Sequence, residues 1–311
     1  MSTYLALVNR LKLEAGVSGP DLTTLVGVTG EMQRLASWIA ASWTDIQAQR
    51  EDWKWLRRST AFPTTRGHVL YTTAECNATN FCLWSRDTFR NYLNPPFTVT
   101  IASPGVVTLA GHGLAVNDTF VPFTSGALPT GLTAGTTYYV LTVPDADTLT
   151  LSATAGGAAI NTTGSQSGTH TASSTNVLSF VGFRSEIQMD YIDYDVWRDK
   201  YLLGNLRFSY TRPIEMSIAP DKSIVTGPIA DAGYTLVGDF FRDPVELSAD
   251  TDTPAMPNQF HLAIVYQAMM SYGAFEAAPE VYNRGEKEFG KIMRRIGNNQ
   301  LPEMAFAGAL A

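Results

Sequence analysis

The 311-residue chain carries 22 basic and 29 acidic side chains, a formal net charge of −7, and 16% charged residues, against a usual value of about 25%. That balance excludes a surface built to grip duplex DNA, because neutralising phosphates takes clustered Lys and Arg. At roughly 150 residues per domain two domains are expected, with 45% apolar residues to fill them and a lightly charged surface suited to meeting other protein.

The N-terminus, MSTYLALVNRLKLEAG, has charges within its first fourteen residues, so it is not read as a secretory signal. No run approaches the ~18 apolar residues of a membrane span, and the expectation is a soluble protein made in the cytoplasm. Residues 3–14 predict a short amphipathic helix carrying Leu7, Val8 and Leu11. Residues 30–50 predict a stronger one. There Met32, Leu35, Ile39, Trp43 and Ile46 step by three or four onto one face, with Thr29 as candidate N-cap. Trp53, Trp55 and Leu56 follow as an aromatic cluster.

Between Arg90 and Arg184 there is no basic side chain, and the acids are Asp118, Asp145 and Asp147. The stretch is crowded with Thr, Ser, Gly and Ala, and this composition shift marks a separate module. The runs FTVTIA, VVTL, DTFVPF, TTYYVLTV and TLTLSA alternate with Gly, Pro and Asp clusters. Such spacing predicts a small antiparallel sandwich or barrel. Its polar end, NTTGSQSGTHTASST, reads as an edge strand of weak register or a mobile loop.

Residues 190–203 predict a helix that begins with acids and ends with a base, with Asp193 or Asp195 as cap. Strands are expected at LRFSYT, IEMSIAP, KSIVTGP and YTLVGDFFRDPVEL, the last stopped by Asp243-Pro244. Helices return at about 258–276 and 279–297. In the second, Val281, Gly285, Phe289, Ile292 and Ile296 form the stripe, and Pro279 suits the first turn. The fold class is therefore α+β: a helical bundle with antiparallel β elements, plus an inserted all-β sandwich or barrel. The domain organisation is 1–93 and 181–311 as one discontinuous α+β domain, with 94–180 inserted into it. Insertions at exposed loop tips add little closure cost to the host.

Motifs for chemistry are missing. HEXXH, GXSXG, P-loop and GXGXXG patterns do not occur, and no enzyme, cofactor or metal is expected. Cys76 and Cys82 have no second pair with zinc spacing, so both are read as reduced thiols. His112 and His170 read as turn or surface residues, and His261 as an interface or partly buried polar residue. The acids Asp190, Asp193, Asp195 and Asp199 are assigned to capping and solvation, and Asp250 and Asp252 to a loop. Trp38, Trp43, Trp53, Trp55 and Phe62 beside Lys54, Arg57 and Arg58 could form a stacking platform, but helical spacing assigns Trp38 and Trp43 to core. A hydrolase using paired carboxylates would need acids across a cleft, which a sequence does not pair.

Four passages resemble the head-to-tail adaptor (connector) proteins of tailed bacteriophages. They are the helix pair ending in REDWKWLRRSTAF, then SRDTFRNYL leading to YIDYDVWRDKY, PDKSIVTGPIADAGYTLVGDFFRDPVEL, and MPNQFHLAIVYQAMMSYGAFEAAPEVYNRGEKEFGKIMRRIGNNQLPEM. The stretch GHGLAVNDTFVPFTSGALPTGLTAGTTYYVLTVPDADTLTLSATAGGAAINTTG resembles a small β module that recurs in phage virion proteins. The resemblance implies a structural virion protein: a homo-oligomeric ring of twelve copies below the portal, joining head to tail. Its partners would be the portal protein, a downstream tail or nozzle protein, and genomic DNA passing through the lumen without specific binding. It also implies a C-terminal segment reaching the portal, with Leu301, Met304 and Phe306 as anchors. The competing reading is a virion fibre or surface binding protein that uses the Thr/Gly-rich module for recognition.

Overall fold

In a computed structural model, residues 2–180 and 185–300 are described. Along the chain come helices α1 (Tyr4–Glu14) and α2 (Glu31–Ala48), then strands β1 (Arg57–Pro63), β2 (Leu70–Tyr71) and β3 (Phe81–Leu93). Six short strands follow: β4 (Pro96–Val99), β5 (Val106–Thr108), β6 (Thr119–Thr124), β7 (Tyr138–Thr142), β8 (Thr148–Ser152) and β9 (His170–Ser173). The chain continues with β10 (Ile187–Gln188), β11 (Asp190–Tyr191), helix α3 (Tyr194–Trp197), β12 (Glu215–Ile218), β13 (Ile224–Gly227) and β14 (Tyr234–Arg242). It closes with α4 (Leu262–Phe275) and α5 (Pro279–Gln300). Two compact units result, a helical one built from the two ends of the chain and a β-rich one spanning Arg58–Phe240.

The helical unit forms because α1, α2 and α5 each present an apolar stripe and pack on α4, which is apolar nearly all round. Thr3 caps α1 by accepting from the Ala6 N–H at 3.2 Å, and Leu7, Val8 and Leu11 are buried on one face. In α2, Leu35, Ile39, Trp43 and Ile46 are buried as the spacing requires, with Met32 packed at the margin. Its N-cap is Gly30 and not Thr29: the chain enters the helix at φ +62°, which a β-branched residue resists, and no side chain caps it. Helix α4 lies in the middle of the cluster, with Ala263, Ile264, Val265, Ala268 and Met269 buried. In α5 the seam is Gly285, Ile292 and Ile296, while Val281 and Phe289 are half-buried beside it. At Gly285 a Cβ would lie 2.8 Å from the Tyr266 carbonyl oxygen, so glycine lets α5 approach α4.

The β-rich unit holds two four-stranded sheets and a closed barrel. The sheet orders are β1-β14-β3-β10 and β11-β12-β13-β2. Phe62, Trp84, Phe89, Leu236 and Phe240 pack together with Met189, Met216 and Ile224. The barrel runs β4-β5-β8-β7-β6-β9 around Phe97, Val107, Phe120, Val140, Leu149 and Leu151. All five predicted runs become strands. In the polar end of the module, the edge-strand reading is corrected at His170–Ser173, where β9 pairs with both β4 and β6 and closes the barrel, while residues 161–169 form a loop with isolated bridges at Thr163 and Ser167. Closure removes the edges that an open sheet exposes. A Thr/Ser/His strand is tolerated there because its polar groups are answered locally. The His170 ring nitrogens meet Thr124 Oγ1 at 2.8 Å and Gln166 Oε1 at 3.1 Å.

The barrel leaves and re-enters the sheets at adjacent points. Strand β3 ends at Leu93 just before β4, and β10 pairs antiparallel with β3 at Ile187↔Asn91. At the barrel base, Ser173 Oγ lies 2.7 Å from Thr235 Oγ1, which donates to Asn94 Oδ1 at 2.6 Å. Ala61, Tyr92 and Val237 of the sheets share the barrel's apolar cluster.

Candidate interaction surfaces

The residues that could have carried chemistry have structural duties. Among the described residues no group of three or more His, Cys, Asp or Glu could hold a metal ion. Arg198 pairs with Asp195 at 2.9 Å and Asp199 at 3.2 Å. Asp193 holds the N-cap position of α3 without a side-chain capping bond, and Asp190 sits in β11. Asp250 accepts from the Leu25 N–H and Thr24 Oγ1. Asp252 accepts from the Ser248 and Ala249 N–H groups, which hold its carboxyl below the usual carboxylate range. Cys76 is buried and Cys82 half-buried, and burial pushes the Cys76 thiol up.

The histidines differ from their sequence reading. His112 and His170, read as turn or surface residues, are both buried. His112 Nδ1 accepts from the Leu114 N–H at 2.9 Å, while burial lowers the pKa of His170. His261 is also buried, and its Nε2 meets the Met256 carbonyl at 2.9 Å. Gly-flanked or polar neighbours gave no sign of this, because inward rotation of a ring is set by the elements around it.

The aromatic residues do not form one platform. Trp43, Trp53 and Trp55 are buried in the helical unit. Trp53 and Trp55 stack at 4.4 Å between centroids, and Trp53 Nε1 donates to the Ile46 carbonyl at 3.0 Å. Phe62 belongs to the core of the sheets. Trp38 is half-buried, 6.0 Å from Tyr272 and 5.7 Å from Phe275. Phe275 is 57% exposed, with the Arg34 guanidinium 4.6 Å above its ring. This makes one aromatic, cationic surface on the helical unit.

A second surface lies on the β-rich unit, where the sequence predicted a helix and then a strand. The helix is only α3, continued by a π-helical turn over Arg198–Leu202. In place of the strand LRFSYT is a 3-10 turn over Asn205–Phe208, and Tyr210 makes a single parallel bridge to Ile229. The reason is tertiary. Trp197 and Tyr201 are drawn into a small core with Ala219 and Val225, and Glu215 ties the turn down. Its carboxylate accepts from Lys200 Nζ at 2.6 Å and from Tyr201 Oη at 2.7 Å. The cost is an apolar apron: Val196, Leu202, Leu203, Leu206, Phe208, Tyr210 and Ile214 are all exposed, Phe208 by 72% and Leu203 by 67%.

Under the apron is a cavity of about 340 Å³ lined by Val69, Trp197, Tyr201, Leu202, Phe208 and Ile229, with Arg207 and Thr226 also in its wall. Trp197 Nε1 and Thr226 Oγ1 are buried and have no hydrogen-bond partner among the described residues. Each such group costs about 1–3 kcal/mol while unpaired. Leu202-Leu203, Leu206 and Phe208, apolar without a regular period, were the legible signal that the sequence reading passed over. The anchors Leu301, Met304 and Phe306 lie outside the described residues.

A family model described as SU10 adaptor protein matches residues 114–306, more than half of the chain. The chain belongs to the SU10 adaptor family. The match opens inside the barrel and runs through the apron and both C-terminal helices. No curated protein matches the chain. The adaptor is thus a structural protein of the bacteriophage virion that works by contacting other virion proteins. No described helix of the adaptor is long and apolar enough to cross a membrane.

Proposed function

We propose that twelve copies of the adaptor form a ring below the portal, join head to tail and continue the DNA channel. Family membership carries this reading, together with the two exposed surfaces. A closed ring needs two unlike complementary faces on every subunit, and aromatic and Arg side chains suit such contacts. The aromatic surface around Phe275 and the apron around Phe208 are both exposed and available for contacts within the ring or with its neighbours. A net charge of −7 suits DNA passing through without being held. A downstream tail or nozzle protein completes the partners.

Residues 94–180 act in this reading as an insertion into 1–93 and 181–311, of the kind that recurs among phage virion proteins. The adjacent exit and re-entry at β3 and β10 support it. Leu301, Met304 and Phe306 anchor the C-terminal segment to the portal. Electron microscopy of the adaptor mixed with purified portal tests the ring directly: a twelvefold ring on the portal is expected, and free portal beside free adaptor overturns it. Truncation after Asn298 should leave the melting temperature unchanged and abolish portal binding. Portal binding that survives truncation removes those anchors.

A further inference from the structure

The apron cavity makes specific demands on whatever fills it. Its walls are apolar, so an apolar side chain fits. Trp197 Nε1 can only donate, and the Thr226 hydroxyl can donate as well; both are closed off from the cavity in the free chain, so an occupant answers them by shifting the cavity wall and bringing a carbonyl or carboxylate oxygen. A hydrocarbon chain alone does not satisfy that. Arg207 at the rim packs its guanidinium 4.5 Å from the Phe208 ring and makes no ion pair among the described residues. The nearby Arg198 and Lys200 are already matched by Asp195, Asp199 and Glu215. An acid beside the apolar group is therefore favoured. At about 340 Å³ the cavity is near the lower end of ligand-binding pockets, which run from roughly 300 to 1,000 Å³. It suits a short peptide stretch.

The chain itself displays one. Asp243-Pro244-Val245-Glu246 follows β14, and all four residues are exposed, Val245 by 42%. Neither Asp243 nor Glu246 is ion-paired among the described residues. The loop is held in place: buried Gln47 accepts from the Val245 N–H at 3.1 Å and donates to the Val245 carbonyl at 3.0 Å. A fixed loop loses little freedom on docking. It presents an apolar Pro-Val pair between two carboxylates, the chemistry that the cavity and Arg207 request.

We propose that the apron cavity is one half of the contact between adjacent adaptor subunits, and that it receives the Asp243–Glu246 loop of a neighbouring copy. Pro244 and Val245 enter the cavity, a loop oxygen accepts from Trp197 and Thr226, and Glu246 pairs with Arg207. The contact is head-to-tail, so repetition can close a ring. It rests on the ring reading above and names the surface that builds it.

The test is assembly of the full chain, followed by sedimentation alone and by electron microscopy on purified portal. Arg207→Glu and Glu246→Arg should each raise the concentration needed for assembly at least tenfold, and the two together in one chain should restore it. Thr226→Val should raise the melting temperature of the free chain, because it removes a buried unpaired hydroxyl, while weakening assembly. Rings that form normally in both charge reversals overturn this contact and leave the ring reading standing. A wild-type chain that forms no ring even on portal overturns both. Single reversals that weaken assembly without rescue by the double reversal also overturn the pairing.

Discussion

The barrel and the apron lie in the same unit and solve opposite problems. Over residues 91–180 the large exposed apolar side chains are Leu93, Ile101, Val116 and Leu178, whereas seven crowd into 196–214. The barrel pairs many of its hydroxyls internally, Thr142 with Thr150 and Thr119 with Thr175, and His170 meets Thr124 and Gln166, although His112 Nε2 has no partner among the described residues. Beneath the apron Trp197 Nε1 and Thr226 Oγ1 are likewise without partners among the described residues, so the two regions differ chiefly in exposed apolar area. A module almost without charge can therefore be self-sufficient, provided its hydroxyls pair and its sheet closes. The apron, with more charged residues in sequence, is the part that leaves its large apolar side chains uncovered. Composition did not distinguish these cases; coverage of apolar area did.

The comparison can be broken first in the barrel core. Phe120 is fully buried and packs edge-on to Phe97 at 5.2 Å, so Phe120→Ala should cost about 3–5 kcal/mol in denaturant unfolding. A loss under about 1 kcal/mol would mean the barrel interior is not close-packed. Next is the barrel base. Ser173→Ala removes the hydroxyl paired with Thr235 and should cost about 1 kcal/mol, read in the same unfolding experiment. No change would mean the barrel is anchored by its apolar contacts alone.

A smaller effect is expected from acid. Burial lowers the folded-state pKa of His170, so below about pH 6.5 the unfolded chain binds a proton that the folded barrel refuses. Its contribution is present above that pH and is lost as pH falls from there toward the folded value. Stability should therefore decline from about pH 7.5 to about pH 5.5, and less steeply in His170→Gln. An unchanged slope in the variant would remove His170 from the account. The smallest effect belongs to the apron. Phe208→Ala should change stability by no more than about 0.5 kcal/mol, as for a surface site, while weakening assembly. A large stability loss would make Phe208 part of the fold and not of a contact.

The sequence by itself determined the elements whose signal is local. Leu7, Val8 and Leu11, the α2 stripe from Leu35 to Ile46, and the α5 stripe ending at Ile296 were legible because helical period alone says which face is apolar. The five Val/Thr/Tyr runs were legible as strands because turn residues separate them, and soft motifs in order pointed to the adaptor family. The tertiary structure decided what depends on distant residues. Strand β9 is buried because β4 and β6 flank it, although its own residues are polar. Gly30 caps α2 because the preceding loop arrives with a positive φ. The segment after Asp193 breaks into a short helix and a π-turn because Trp197 and Tyr201 are claimed by a small core and Glu215 fastens the turn. Periodicity records which face of an element is apolar. Which partner covers that face, and which face is left uncovered, is settled only when the whole chain packs.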